Sequence, residues 1–457
     1  MTDARAAPPP APRRLTTPVL ASLLVAGAIA RAIVVSLPGT RDVPDWKATA
    51  FVASEDLLGV YGSGGSPPEQ RMLTWGVAAT TTEYPMVSQL QMATVGWIYR
   101  RFDPDFNDSP RLTALIKTPG LVAELAFVLV LLTWGRRVIG EAAVWAAIAF
   151  WLNPAVWLTG SVLGYLDAQM AVPVTIAMIA AAAGRPGLAG VLAAIAVFTK
   201  PQAVFVLPVL GIMVLVRNGQ IRWRSALTTL IAGLVVTTAA LLPLALAGVW
   251  PSYWRAVQRL GEHDLVSGTA TNLWWIVTWA AGSAARLSEL GLWEALSRPA
   301  TMVRISTVVA AGWPNPRTVG IVLTAAALAW AVWRMRRGVS APVGALVGGW
   351  CVLAYFMVSG QVHENHAYLA VPLLGVAAAA RPRLRPLYWA ISAAYVLNLY
   401  LFYGLGMTLP PVIDRRWTFI DLSVLLAVGY AGLVAWLTME VVRATRSATT
   451  PPAATGR

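Results

Sequence analysis

The chain has 457 residues, 57% of them hydrophobic and only 12% charged, with 21 tryptophans. That balance excludes a soluble multidomain protein and describes a polytopic membrane protein. A net charge of +14 would suit a nucleic-acid partner, but the basic residues come in small groups between apolar runs, as cytoplasmic loops require, so no nucleic acid is implied. The single cysteine, Cys351, lies inside an apolar run; it has no intrachain disulfide partner and reads as core packing.

Residues 1–14 and 447–457 read as disordered cytoplasmic tails of low apolar content, enclosing one membrane domain over 15–446. The first apolar run, 15–37, is long enough to cross a bilayer. It is read as an uncleaved anchor in preference to a cleaved signal peptide, being longer than a signal core and followed by further spans. The predicted fold is all-α, with about twelve transmembrane helices over 15–37, 112–134, 141–160, 167–183, 187–199, 201–216, 225–248, 318–334, 341–358, 366–380, 387–404 and 417–438. Both termini are then cytoplasmic. Arg136 and Arg137, Arg185, the groups at 217–224, 334–337 and 381–385, and finally Arg443 and Arg446 all fall inside. Only Asp3, Glu141 and Glu440 of the 21 acidic residues join them. The spans 187–199 and 201–216 are short for a full crossing.

Two long outer segments, 38–111 and 249–317, are where function is expected. The first holds helix-like stretches from Trp46 to Tyr61 and from Met86 to Tyr99, split by a Gly- and Ser-rich turn at 62–66. The second stretch reads as an interfacial helix, because counting it as a span reverses every later charged loop. Asp42 and Asp45 follow the first span closely; a carboxylate held there can take a proton from a hydroxyl, and its plain alternative is a solvated loop acid or helix cap. Lys200, between two short apolar runs, is a partner for a lipid phosphate or a snorkelling lysine. Asp167 opens a span, which suits either a first-turn helix acid or a binding group.

His363 and His366 flank Glu364 in a turn between two apolar runs. Ionisable residues are expensive there, so the cluster marks a candidate site. The two imidazoles suit donation to a phosphate or leaving group; as half of a metal site they would need Asp167 to complete it. No cofactor is assigned, and a divalent metal is left open. His263, between Glu262 and Asp264, reads as a charge run or part of a lid, and Asn272, Trp274 and Trp275 as an aromatic belt or a sugar-facing surface.

Taken in order, these short motifs resemble the GT-C superfamily of polyprenyl-phosphate-sugar glycosyltransferases, in particular the dolichyl-phosphate-glucose glucosyltransferases and bacterial polyprenyl-phosphate-mannose mannosyltransferases. The matching pieces are Asp42 with Asp45; Glu83, Tyr84, Pro85; Arg111 through Glu124 and Leu125; Asn153, Pro154 and the turn from Gly164 through Asp167 to Gln169; Phe198, Lys200, Gln202; Glu262, Asp264, Asn272, Trp274; and Val362, His363, Glu364. Gln361, Asn365 and Met86 depart from the eukaryotic pattern. The resemblance implies an integral plasma-membrane enzyme that moves a hexose, mannose or glucose, from a polyprenyl-phosphate-linked donor to a hydroxyl of a glycolipid or glycan acceptor on the extracytoplasmic side. It implies inversion with Asp42 as general base and Asp45 beside it. Lys200, His363 and His366 would meet the donor phosphate, and Glu83, Tyr84, Asp167, Gln169, Asn272, Trp274 and Glu364 would bind substrate. The rival reading is a transporter or flippase of a lipid-linked sugar, which predicts internal repeats and discontinuous midplane helices; no repeat is evident, and the polar residues gather at one face.

Overall fold

The computed structural model describes residues 16–64, 70–217 and 219–447, so the expected tails lie outside it apart from the helical Ser447, as does part of the turn at 62–66. Helix α1 (Thr17–Val34) leads into the segment 38–111, where α2 (Asp42–Glu55) and α3 (Met86–Tyr99) flank a hairpin of β1 (Leu73–Trp75) and β2 (Ala78–Thr80). Next, α4 (Pro110–Val130) runs through a π-turn into α5 (Arg136–Ile139). Helix α6 (Ala142–Trp151) then bends by 46° into α7 (Pro154–Trp157), which a second π-turn (Leu158–Leu163) extends. Helices α8 (Asp167–Ala182) and α9 (Pro186–Thr199) follow, then a 3-10 turn (Pro201–Val206) that feeds α10 (Leu207–Leu215). Strands β3 (Val216–Arg217) and β4 (Gln220–Ile221) connect it to α11 (Trp223–Leu246).

The segment 249–317 contains α12 (Trp250–Arg259), β5 (Ser267–Gly268), α13 (Leu273–Leu290), α14 (Leu292–Ser297) and α15 (Ile305–Ala310). The chain closes with α16 (Pro316–Met335), α17 (Ala341–Val358), β6 (Val362–His363), a 3-10 turn (Glu364–Leu369) into α18 (Ala370–Ala380), α19 (Arg385–Tyr403) and α20 (Leu422–Ser447). The fold is helical as expected, with three short ladders that an all-α reading omits: β1–β2 and β3–β4 antiparallel, β5–β6 parallel.

Among the described residues, six helical segments are long and apolar enough to cross a membrane, or seven with the bent α6–α7 pair, not the twelve expected. The remaining five expected spans fall on α8, α9, α10 with its 3-10 turn, α18 and α19; the first three are apolar but shorter than 18 residues. α8 and α18 are enclosed by other helices along nearly their whole length. An enclosed helix has its polar ends met by neighbouring protein, so it needs neither the length nor the uniform apolarity of a lipid-facing one. α11 and α16 are the opposite case, largely exposed and apolar.

Small residues let the inner helices approach closely, as membrane bundles require. Gly344, Gly348 and Gly349 of the buried α17 seat Met213, Met178 and Leu374, and a Cβ on Gly190 of α9 would overlap the Thr229 carbonyl of α11. The bend at Asn153 and Pro154 is satisfied on both sides: the Asn153 carbonyl accepts from Ala155 N, and its amide donates to Tyr388 (2.7 Å) and Ser392 (2.9 Å) of α19. The carboxyl of Glu124 meets Arg31 of α1 at 2.8 Å; both are buried. Arg31 also lies 3.8 Å over the Trp151 ring. The pair clamps α1, α4 and α6 together.

The arginine groups mark one end of this bundle. Arg383 and Arg443 meet Glu440 at 3.3 and 2.6 Å, and Arg334 bonds the Val442 carbonyl and Thr445 of α20. The helices that leave this end run to the other, where Lys200, Ser359 and Tyr403 follow or end α9, α17 and α19.

Candidate functional site

The π-turn at Leu158–Leu163 breaks the regular helical ladder and leaves its carbonyls for other donors. Lys117 of α4 donates to the carbonyls of Leu37 (2.6 Å), Ser161 (3.0 Å) and Val162 (2.8 Å), and Thr40 N bonds Leu163 O at 3.0 Å. Gly39 and Gly164 take φ of +79° and +82°, and a Cβ on either would overlap Val43. This packing delivers Asp42 as the first residue of α2, after an Arg41 that makes no side-chain cap. Asp42, Asp45 and Trp46 then stand at i, i+3 and i+4 on one helix face, and all three line a cavity of about 1250 Å³.

The opposite walls come from segments far apart in sequence. Lys200, after α9, holds Asp167 of α8 at 2.8 Å, and the other Asp167 oxygen accepts from Asn365 at 2.9 Å. Glu364 is buried and accepts from Tyr165 and Thr269, both at 2.7 Å. His366 lies between the Gln202 amide and the Tyr355 hydroxyl, each at 3.1 Å. His263 bonds Glu83 at 2.9 Å, and its ring lies 6.0 Å from that of His363, itself 5.7 Å from His366. All three histidines of the chain therefore face one cavity.

The β5–β6 ladder joins these walls, pairing Ser267 with Val362 and Gly268 with His363. A Cβ on Gly268 would overlap the His363 ring. On either side of the ladder, Thr269 and Gln361 adopt φ of +63° and +64°, a left-handed conformation that costs a non-glycine residue about 1 kcal/mol or more. Both line the cavity: Thr269 donates to Glu364, and Gln361 donates to the carbonyls of His263 and Gly261. The hydrogen bonds hold the strained turns in place.

Among the described residues the Asp42 carboxyl has no hydrogen-bond or ion-pair partner. Burial raises it from the ordinary 3.8 to about 6, with Glu364, Asp45 and Asp167 pushing the same way and Lys200 opposing them. Burial also raises Asp45. The Tyr84 hydroxyl is held well above the usual phenol range by burial and by Asp42, so it stays a neutral donor. Glu83 raises His263 through their hydrogen bond, whereas burial lowers His363. A poised carboxyl thus faces a wall of hydrogen-bond donors and one buried ammonium.

Of the residues singled out from the sequence, Asp42, Asp45, Glu83, Tyr84, Lys200, His363, Glu364 and His366 line the cavity. Asp167 stands behind the wall, holding Lys200 and Asn365. Gln169, Asn272 and Trp274 do not line it. Asn272 caps α13 and donates to the Phe356 carbonyl, and Trp274 donates to the Val358 carbonyl at 2.8 Å, so both dock α13 onto α17. Gln169 is buried beside Gly120 of α4. Gln202, quoted with the Lys200 motif but given no role, also lines the cavity, as do Trp46, Tyr165, Thr269 and Arg317, which sequence reasoning did not single out; the i, i+4 spacing of Trp46 from Asp42 and the place of Tyr165 in the turn from Gly164 to Gln169 were the signals there to find. The Trp46 indole N–H is buried without a partner among the described residues. No group of three His, Cys, Asp or Glu side chains among the described residues is placed to hold a metal ion.

No protein-family model matches the chain, and no curated protein matches it.

Proposed function

We propose that the protein is an inverting glycosyltransferase that moves a hexose from a polyprenyl-phosphate donor to a hydroxyl of a glycolipid or glycan. The observation that carries this reading is Asp42: a carboxyl without a hydrogen-bond or ion-pair partner among the described residues, raised to about 6 and lining a large cavity together with Lys200 and the histidines. In the proposed step, Asp42 takes the acceptor proton as the hydroxyl oxygen attacks the anomeric carbon, and the bond from that carbon to the phosphate oxygen breaks with its electrons on the phosphate. Charge then develops on the phosphate, where preorganised donors contribute most. His366, oriented by Gln202 and Tyr355, and Lys200, fixed by Asp167, need no rearrangement to supply such donors.

The same proposal includes a twelve-span bundle with both termini cytoplasmic, α8, α9, α10, α18 and α19 crossing as inner helices, and the cavity on the extracytoplasmic side of the plasma membrane. The arginine groups at the far end support that orientation. The direct test is transfer of labelled mannose or glucose from polyprenyl-phosphate donors to a membrane glycolipid extract by the purified protein, with movement of the lipid-linked sugar across vesicles measured in parallel. Transfer supports the enzyme; movement without transfer from any donor establishes the transporter instead.

A further inference from the structure

Among the described residues, three lysine or arginine side chains line the cavity: Arg41, Lys200 and Arg317. They differ in how much of their charge is already answered. Lys200 is buried and paired with an equally buried Asp167 at 2.8 Å, so the pair presents little net charge to an incoming anion. Arg41 is exposed and adjoins Asp42 on the same turn, so an anion beside it would meet a cavity carboxylate. Arg317 has no carboxylate partner among the described residues, and its Nε is buried without an acceptor. A guanidinium in that state has its strongest hydrogen bonds still to make.

The surroundings of Arg317 specify what the anion is attached to. It is the second residue of α16, held by the Asn315 cap through its own backbone N–H at 2.9 Å. One turn on, Ile321 lines the same cavity yet is 61% exposed, as are Met302 (54%) and, on the facing 3-10 turn, Val204 (46%). α16 is itself one of the helices apolar and long enough to cross a membrane, with most of its surface unburied. An unanswered cation at the head of a lipid-facing helix, above apolar groups shared by the cavity and the outer surface, fits an anionic head on an apolar chain.

We propose that Arg317 is the principal anchor for the phosphate of a polyprenyl monophosphate ligand, with Lys200 a secondary, already neutralised contact. This rests on the glycosyl-transfer reading and names a group for that same site. The guanidinium offers two parallel N–H donors to the phosphate oxygens, a geometry that lysine lacks.

The test is binding of three probes to the purified protein in lipid nanodiscs: polyprenyl monophosphate, uncharged polyprenol of the same length, and inorganic phosphate. Wild type should bind the monophosphate at least about tenfold more tightly than the alcohol, and inorganic phosphate should displace it only at far higher concentration. Arg317→Gln should lose most of that discrimination while binding polyprenol unchanged, Arg317→Lys should recover part of it, and Arg41→Gln should keep it. Unchanged polyprenol binding reports that the Arg317 variants are folded. Discrimination retained in Arg317→Gln, or lost equally in Arg41→Gln, overturns the assignment to Arg317. Inorganic phosphate binding as tightly as the lipid overturns the lipid ligand. A wild type with no preference for the monophosphate over the alcohol overturns the glycosyl-transfer reading itself.

Discussion

Asp167 is predicted to act on stability first and on chemistry only through Lys200. Asp167→Ala leaves an ammonium that is 3% exposed without its carboxylate, and the Asn365 amide without its acceptor. Breaking a buried pair from one side costs about 3–5 kcal/mol, because the surviving charge stays desolvated; the orphaned amide adds about 1–3 kcal/mol. Lys200→Met is expected to cost a similar amount for the same reason. Replacing both, as Asp167→Ala with Lys200→Met, removes the desolvated charges together and should cost far less than the sum, giving a coupling energy well above about 2 kcal/mol. Unfolding in mixed micelles, titrated with denaturing detergent, measures all four corners of the cycle. Single variants within about 1 kcal/mol of wild type, or a double variant equal to their sum, would refute the buried pair.

Asp42 gives a pH prediction with a fixed sign. kcat/KM should rise through about pH 6 as the base ionises, and fall about tenfold per unit below it. Its folded value lies above the ordinary 3.8, so its favourable contribution to stability is complete below that value and is lost as pH rises towards 6. Asp42→Asn should therefore melt above wild type at pH 7, a difference that vanishes below about pH 4. Trp46→Phe keeps an aromatic ring beside Tyr84, whose ring lies 4.6 Å from the indole, and removes a cavity-lining N–H that is buried without a partner among the described residues; stability should hold or improve, while an acceptor hydroxyl that accepts from this N–H loses a hydrogen bond and its KM rises about tenfold. Gly190→Ala should lower thermal stability by about 1–3 kcal/mol as α9 is pushed from α11. Gly187→Ala on the same helix, where the nearest atom is 3.6 Å away, serves as the tolerated control.

Hydropathy and arginine placement made the helical membrane character legible, and α3 was recognisable at its observed bounds, whereas α2 starts at Asp42 and ends at Glu55, earlier than the expected stretch from Trp46 to Tyr61. The count of spans was less so, because α8 and α18 are enclosed by protein and carry no length signal that separates an inner span from a buried helix. At the site, residues beside apolar runs stood out, such as Asp42, Lys200 and His363, since a charge there has few structural excuses. His263 and Arg317 lie in a long polar loop where charges are ordinary, and only the β5–β6 ladder and the start of α16 bring them to the cavity. Asn272 and Trp274 illustrate the converse: a helix cap and an indole docked on a carbonyl look, in sequence, like a sugar-facing pair. Arg31 and Glu124 sit in separate spans 93 residues apart, a pairing that no local pattern reveals.

The most direct measurement of the central claim is sugar transfer by Asp42→Asn beside Asp45→Asn, both checked for folding by their thermal transitions. The two aspartates share one helix face and one cavity, and Asp42 is the more deeply buried of the two. Asp42→Asn should lose about a hundredfold or more in kcat, with Asp45→Asn staying within about tenfold of wild type. A folded Asp42→Asn that transfers sugar at close to the wild-type rate would contradict the account.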